Sequence, residues 1–321
     1  MQQPVLIIRL LNLIMLISCA GNPAPTGEDD AAGIEKDSVS AFSADHFPYD
    51  LAQPAEKIKL PESLTEISGI DLYRKSKMVC VQDEKGIVYV YDLAKGTLKE
   101  EISFGSKGDY EGVANVHDTI WVLSSDGNLH RIVNFNTKHQ KTKEFDTPLN
   151  KDNDTEGLCY DEKNNRLLIA CKEKPGASMK GMRAVYAFDL HSNAIVTIPA
   201  YTVKLDEIRQ FLQQHDKDKF MTNELRALLD PGKGDVTFQP SEIHVHPVTD
   251  ELYILSSVGK LLLVINRDNK ILHMVNLDPS MFRQPEGMTF SDDGTMYIAD
   301  EGGNGHGNIL KFNYRPDAPS K

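Results

Sequence analysis

The chain has no apolar segment long enough to cross a bilayer as a helix. Its one strongly apolar run, residues 4–18, falls short of the roughly twenty residues that a hydrocarbon core demands. It has no run of lysine and arginine, and 35 basic against 47 acidic side chains leave a formal charge of −12. Such a surface gains nothing from neutralising phosphates, so nucleic acid is excluded as an expected partner. Four cysteines in 321 residues are too few for a disulfide framework, and none has zinc-ligand spacing. Also missing are a G-x-S-x-G elbow, a P-loop and a dinucleotide fingerprint, so no familiar nucleophile or nucleotide site is visible. What remains is ordinary for a globular protein: 40% apolar and 26% charged residues, neither disordered nor collagen-like.

The amino terminus reads as an address. Residues 5–18 (VLIIRLLNLIMLIS) form an apolar stretch broken only by Arg9 and Asn12, and no acidic residue precedes Glu28. This is the pattern of a secretory signal. It ends in Leu16-Ile17-Ser18-Cys19, which resembles the bacterial lipoprotein lipobox, where the cysteine is acylated and becomes the mature amino terminus. The Pro/Gly/Ala/Ser/Asp-rich stretch that follows suits a solvated tether. The expected organisation is therefore a signal over 1–18, a flexible tether over 19–50, a globular domain over 51–316 and a tail over 317–321. Cys80, Cys159 and Cys171 each sit in an apolar, strand-like run and are expected as buried thiols, although Cys159 and Cys171 flank one hairpin.

The globular part repeats. Five phrases recur: Glu66-Ile-Ser68-Gly-Ile, Asp109-Tyr-Glu111-Gly-Val, Asp154-Thr-Glu156-Gly-Leu, Gln239-Pro-Ser241-Glu-Ile and Gln284-Pro-Glu286-Gly-Met. Their third residues are spaced by 43, 45, 85 and 45. A period near 45 with short turn-bounded strands is the signature of a β-propeller, one four-stranded blade per repeat. Second strands read as KMVCVQ, TIWVLSS, RLLIACK, ELYILSS and TMYIAD, each followed by a third. The fifth unit lacks a fourth strand, and EKIKLP (56–61), ahead of the first repeat, is expected to supply it and close the ring. The fold class is thus all-β, a propeller of five four-stranded blades, with six as the alternative. The long spacing holds an insertion over about 204–231. Leu205, Ile208, Phe211 and Leu212, then Leu225, Leu228 and Leu229, predict two short helices there.

Antiparallel strands place the repeated phrases and the ends of the second strands on one face. The helical insertion and the loops 172–183 and 301–308 belong to that face too, which makes it the expected binding face. The third positions form a ring of Ser68, Glu111, Glu156, Ser241 and Glu286, with Glu66, Asp109, Asp154, Gln239 and Gln284 two residues earlier. Crowded at a channel mouth, these carboxylates require a cation, a basic partner or raised pKa values. Glu111, Glu156, Glu286, Asp109 and Asp154 are accordingly candidate ligands for a hard cation such as calcium. The other reading is that the repeated polar residues bond backbone amides and tie blades together. Asp152-Asn-Asp154-Thr-Glu156-Gly157 imitates the start of a calcium loop, but Lys163 at position twelve excludes an EF-hand. His244 and His246 form an H-x-H without a third ligand, which suits a structural role.

In order and spacing the five phrases resemble the SdiA-regulated (YjiK-type) family of bacterial envelope β-propeller proteins. The resemblance covers about residues 55–315 and includes Leu158-Cys-Tyr-Asp and Gly294-Thr-Met-Tyr-Ile-Ala; Glu242 stands where the other phrases have glycine. It implies a membrane-attached propeller. Two functions follow as expectations. One is a lipid-anchored envelope protein whose propeller binds a protein or small-molecule ligand without catalysis. The alternative is a divalent-cation-dependent hydrolase, of phosphoesterase or lactonase type, that uses the channel carboxylates.

The anchor is directly testable. Cys19→Ala should move the protein from the membrane fraction to the soluble one and abolish fatty-acid labelling. A variant that still sediments and labels would overturn the lipobox assignment.

Overall fold

The computed structural model describes residues 47–74, 76–176, 179–215 and 238–316. The signal, Cys19, most of the tether, the second expected helix and the tail lie outside the described residues. All described residues belong to the unit Phe42–Lys321. Among them, no helix is long and apolar enough to cross a membrane.

Strand β1 (Glu56–Lys59) opens the fold. Blade 1 follows as β2 (Ile67–Tyr73), β3 (Lys77–Gln82), β4 (Lys85–Asp92) and β5 (Thr97–Lys107). Blade 2 is β6 (Tyr110–Val116), β7 (Thr119–Ser124), β8 (Leu129–Val133) and β9 (Lys141–Phe145). Blade 3 is β10 (Thr155–Asp161), β11 (Arg166–Cys171), β12 (Met182–Asp189) and β13 (Ala194–Lys204), continued by helix α1 (Leu205–His215). Blade 4 is β14 (Glu242–Val245), β15 (Leu252–Ser256), β16 (Leu261–Ile265) and β17 (Ile271–Asn276). Blade 5 is β18 (Pro285–Phe290), β19 (Met296–Asp300) and β20 (Asn308–Phe312), with β1 paired antiparallel to β20 as its outer strand. These are five four-stranded antiparallel sheets, as the repeats predicted, and the amino-terminal strand closes the ring.

The strands read as continuous apolar runs because each blade is covered on both faces. Alternate residues go to different neighbours. On β3, Val79 and Val81 pack toward blade 2, whereas Met78 and Cys80 pack toward blade 5. On β15, Leu252 and Ile254 face blade 3, whereas Tyr253 and Leu255 face blade 5. The core is therefore five clusters, one at each interface between blades. The same alternation separates two cysteines. Cys159 packs toward blade 4 and Cys171 toward blade 2, on opposite faces of one sheet, so they form no disulfide. Burial raises the pKa of all three thiols, that of Cys171 to about 12, which keeps them inert.

Helix α1 buries Leu205, Ile208 and Leu212 in the cluster between blades 3 and 4. It therefore packs as part of the propeller wall. Leu225, Leu228 and Leu229 fall outside the described residues.

The expected end of the tether at residue 50 differs from what the structure shows. Tyr49 and Leu51 are buried between blades 4 and 5, with Phe47 packed against them. The Tyr49 hydroxyl lies 2.7 Å from His246 Nε2 and donates to the Gly294 carbonyl at 2.6 Å. Alternate apolar residues in Phe47-Pro-Tyr49-Asp-Leu51 thus act as an extra piece of core. This explains His246, which is fully buried and whose pKa is lowered to about 4, chiefly by burial.

A chain beginning at Phe47 should melt where the mature protein does. A chain beginning at Ala52 loses the Tyr49 plug and should fall by about 3 kcal/mol or more, or roughly 6–12 °C at this domain size. Equal melting temperatures for the two would reject the role given to Tyr49.

Candidate functional site

All five inner strands (β2, β6, β10, β14 and β18) start on the face that carries the long loops, here the upper face, and end on the lower face. Near the upper end of four of them, pairing with the second strand slips: between Ile67 and Ile70, Tyr110 and Gly112, Thr155 and Gly157, and Pro285 and Gly287. These are β-bulges, which re-aim a side chain. The extra residues in three of them are Glu111, Glu156 and Glu286, and in blade 1 they are Ser68 and Gly69. Blade 4 has no slip. Ser241 N donates to Leu255 O at 2.8 Å, and Ser241 Oγ donates to Pro285 O at 2.9 Å, tying blade 4 to blade 5.

The bulged carboxyls interact across the axis. Burial is the main cause that raises Glu111, to about 10, and the charges of Glu156 and Asp109 add to it. Glu156 rises to about 8 through burial, even though Lys172 opposes the shift. Glu286 is raised by burial as well. Lys172 Nζ sits 2.6 Å from Glu156 Oε1 and 3.9 Å from Asp154 Oδ2. Burial works against its ammonium, but Glu156 outweighs that and holds the pKa above the usual lysine value. The mouth therefore combines an internal cation with raised carboxyl pKa values, two of the three solutions that crowding requires.

The remaining ring residues bond locally. Asp109 Oδ2 accepts from Ser125 Oγ at 2.5 Å, Gln239 Nε2 donates to Glu173, and Gln284 Nε2 donates to Glu301. Glu66 lies against Glu301, which burial and the Glu66 side chain raise to about 8. Ser68 is buried in blade 1. The five candidate cation ligands are thus gathered with Lys172 among them. Among the described residues, no group of three or more His, Cys, Asp or Glu side chains is placed to hold a metal ion.

Glu242, the departure from glycine, is fully buried. Its Oε1 accepts from the amides of Leu158 and Ile243, both at 2.9 Å, and Oε2 has no partner. Burial raises its pKa well above the ordinary carboxyl value. Its Oε1 ties blade 4 to blade 3, the role that the blade-tying reading gave to the repeated polar residues.

The lower mouth was not foreseen. A cavity of about 330 Å³ opens there, with residues from all five inner strands in its wall. Its floor holds Asp71 and His244, whose Oδ1 and Nε2 are 3.6 Å apart. Asp71 also accepts from Thr289 Oγ1 at 2.8 Å and from Asn115 N at 2.7 Å, joining blades 1, 2 and 5. Beside it, Arg267 grips Asp161 with NH1 at 3.0 Å and NH2 at 3.1 Å, while Arg166 Nε holds the same carboxylate at 2.9 Å. The available signal was position: Asp71, His244 and Thr289 each stand three residues after the repeated third position.

The family described as SdiA-regulated matches residues 51–304. Among curated proteins, none matches. Virginiamycin B lyase from Staphylococcus aureus is 16% identical over 80% of this chain and 73% of its own, with a TM-score of 0.42. Glutaminyl cyclase from Myxococcus xanthus is 11% identical over 82% and 96%, with a TM-score of 0.51. Identities this low bear on fold alone.

The upper mouth makes stability depend on pH. In an unfolded chain these carboxyls ionise near 4.5; in the folded protein Glu156 does so at about 8 and Glu111 at about 10. Between those values the folded state holds protons that the unfolded state has released, so stability falls as pH rises. The slope is at most about 1.4 kcal/mol per pH unit for each group. Glu111→Gln should leave the melting temperature near wild type at pH 5 and raise it above wild type at pH 8.5. Equal losses at both pH values would show that the carboxyl acts only as a structural acceptor.

Proposed function

The chain belongs to the SdiA-regulated family, and we propose that it serves there as a noncatalytic binding propeller, anchored by lipid at Cys19 to a membrane of the bacterial envelope. The carrying observation is the Lys172–Glu156 pair seated in the upper mouth among Glu111, Glu286 and Asp154. It offers a hydrogen-bonded lysine–glutamate pair beside carboxyls whose pKa values burial raises. The segments 172–176, 179–183 and 301–308 and helix α1 lie at strand ends on the same face as this mouth, and binding residues concentrate on loops over a rigid scaffold. Phe47 and Tyr49 lie at the lower face, beside His246 and Gly294. The anchored segment therefore joins the propeller opposite the loops and leaves them free to meet a ligand or a protein partner.

A cation-dependent hydrolase would need the place that the Lys172 ammonium fills. Millimolar calcium should accordingly leave the wild-type melting temperature within about 1 °C, since a ligand stabilises only by RT ln(1 + [L]/Kd). Lys172→Gln vacates the position between Glu156 and Asp154 and should gain a calcium shift of roughly a few degrees. A large wild-type shift that Glu111→Gln with Glu156→Gln abolishes would favour the hydrolase instead.

A further inference from the structure

We propose that the outer rim between blades 2 and 3 carries an oxyanion site, built on Arg131 and Lys143 and suited to a phosphate group. Strands β8 and β9 set Arg131 directly opposite Lys143, and Trp121 on β7 stands opposite Arg131. The three form one row on the face turned to blade 3. Lys141 precedes Lys143 by two residues and shares that face. One step along, the same two strands set His130 opposite Glu144, on the face turned to blade 1. Like charges directly opposite each other destabilise a strand pair, and here no carboxylate relieves them. Arg131, Lys141 and Lys143 enter no ion pair among the described residues.

The guanidinium lacks acceptors. Its one hydrogen bond runs from Nη1 to Asn193 Oδ1 at 3.4 Å, longer than is usual, and its Nε is buried without a partner. The turn that supplies Asn193 has one carboxylate, Asp189, whose Oδ1 accepts from Ser192 N at 2.6 Å and Oγ at 2.7 Å. Aromatic rings hold the cations instead. Arg131 lies 5.7 Å from the Trp121 ring centre and 5.1 Å from that of Phe145, and Lys143 Nζ lies 4.4 Å from Phe145. A ring face attracts a cation without occupying its N–H donors, which stay available. Strand β9 is an edge, and edge lysines discourage pairing with other chains. That accounts for Lys141 and Lys143, but not for Arg131 on the strand inside the edge. A planar fork beside an ammonium suits a tetrahedral oxyanion, which guanidinium groups bind through paired hydrogen bonds. The acidic chain as a whole repels a polyanion, whereas a single phosphate group needs only this cluster. That chemistry is the same in a soluble phosphomonoester and in a lipid headgroup.

The test titrates the purified full chain with glycerol phosphate, with glycerol as the neutral analogue. Calorimetry measures affinity, and the emission of Trp121, the chain's only tryptophan, reports place because the guanidinium lies on its ring. Glycerol phosphate should bind and change that emission, glycerol should do neither, and affinity should fall as salt is added. Lys143→Gln and Arg131→Lys should each weaken binding about fivefold or more. Lys143 is exposed, so its variant should keep the wild-type melting temperature. Lys99→Gln, at an exposed position on the outer strand of blade 1, should bind as wild type does. Phosphatidylcholine vesicles containing phosphatidic acid distinguish the source. A Lys143-dependent emission change at a headgroup concentration about tenfold below that of glycerol phosphate assigns the site to lipid; otherwise the soluble group is the ligand. No glycerol phosphate binding by about 10 mM, binding that leaves Trp121 emission unchanged, or equal losses in Lys99→Gln and Lys143→Gln would each overturn the assignment.

Discussion

The inner strands meet backbone to backbone, and the rest of the molecule is arranged around that contact. A Cβ on Gly112 would lie 2.6 Å from Leu158 Cβ and 2.9 Å from Glu156 O, and one on Gly157 would lie 2.6 Å from Ile243 N. Side chains cannot fit between neighbouring strands at this level, so the residue ahead of each glycine must turn elsewhere. The bulge turns it to the axis. Close approach and carboxyl convergence are thus one event: the glycine that lets the blades touch also delivers the neighbouring glutamate into a space too small for several charges. Protonation and Lys172 then resolve the repulsion.

Much of this was legible because a propeller repeats its inner strand. The period gave the blades, the apolar pentads gave the second strands, and the missing fourth strand of the last unit pointed to Glu56–Lys59. What could not be read was where side chains from different strands meet. Lys172 ends one strand and Glu156 starts another, and nothing in the spacing says that the ammonium reaches inward. Tyr49 sits in a stretch whose Pro and Asp resemble the tether before it, and its partners, His246 and Gly294, come from blades 4 and 5. Asp71, His244 and Thr289 stood in view, but a polar residue inside a strand reads as an outward-facing one until the bulge upstream has reset the alternation.

Blade 4 shows what happens where the rule is broken. With Glu242 in place of glycine there is no bulge, and the ring position is Ser241, which ties forward to Pro285. The glutamate side chain ties backward to the Leu158 amide. One residue has exchanged an axial carboxyl for a buried cross-link, at the cost of an Oε2 atom with no partner. On the lower face, Arg267 of blade 4 clamps Asp161 of blade 3, joined by Arg166 and the Tyr201 hydroxyl. A bond that breaks the symmetry at one end of the channel is matched by a charged clamp at the other.

The two mouths consequently differ in kind. At the upper end a built-in ammonium already satisfies the carboxylates, so an arriving group competes with Lys172 or bonds to neutral acids. At the lower end Arg166 and Arg267 are locked into the clamp on Asp161, and Asp71 accepts from Leu72 N, Asn115 N and Thr289 Oγ1. Between them lies Glu242, whose pKa is raised chiefly by burial and further by Asp71 below and Glu156 above. Backbone contacts at Gly69, Gly112, Gly157 and Gly287 draw the inner strands together, and that gives one small propeller two chemically distinct ends.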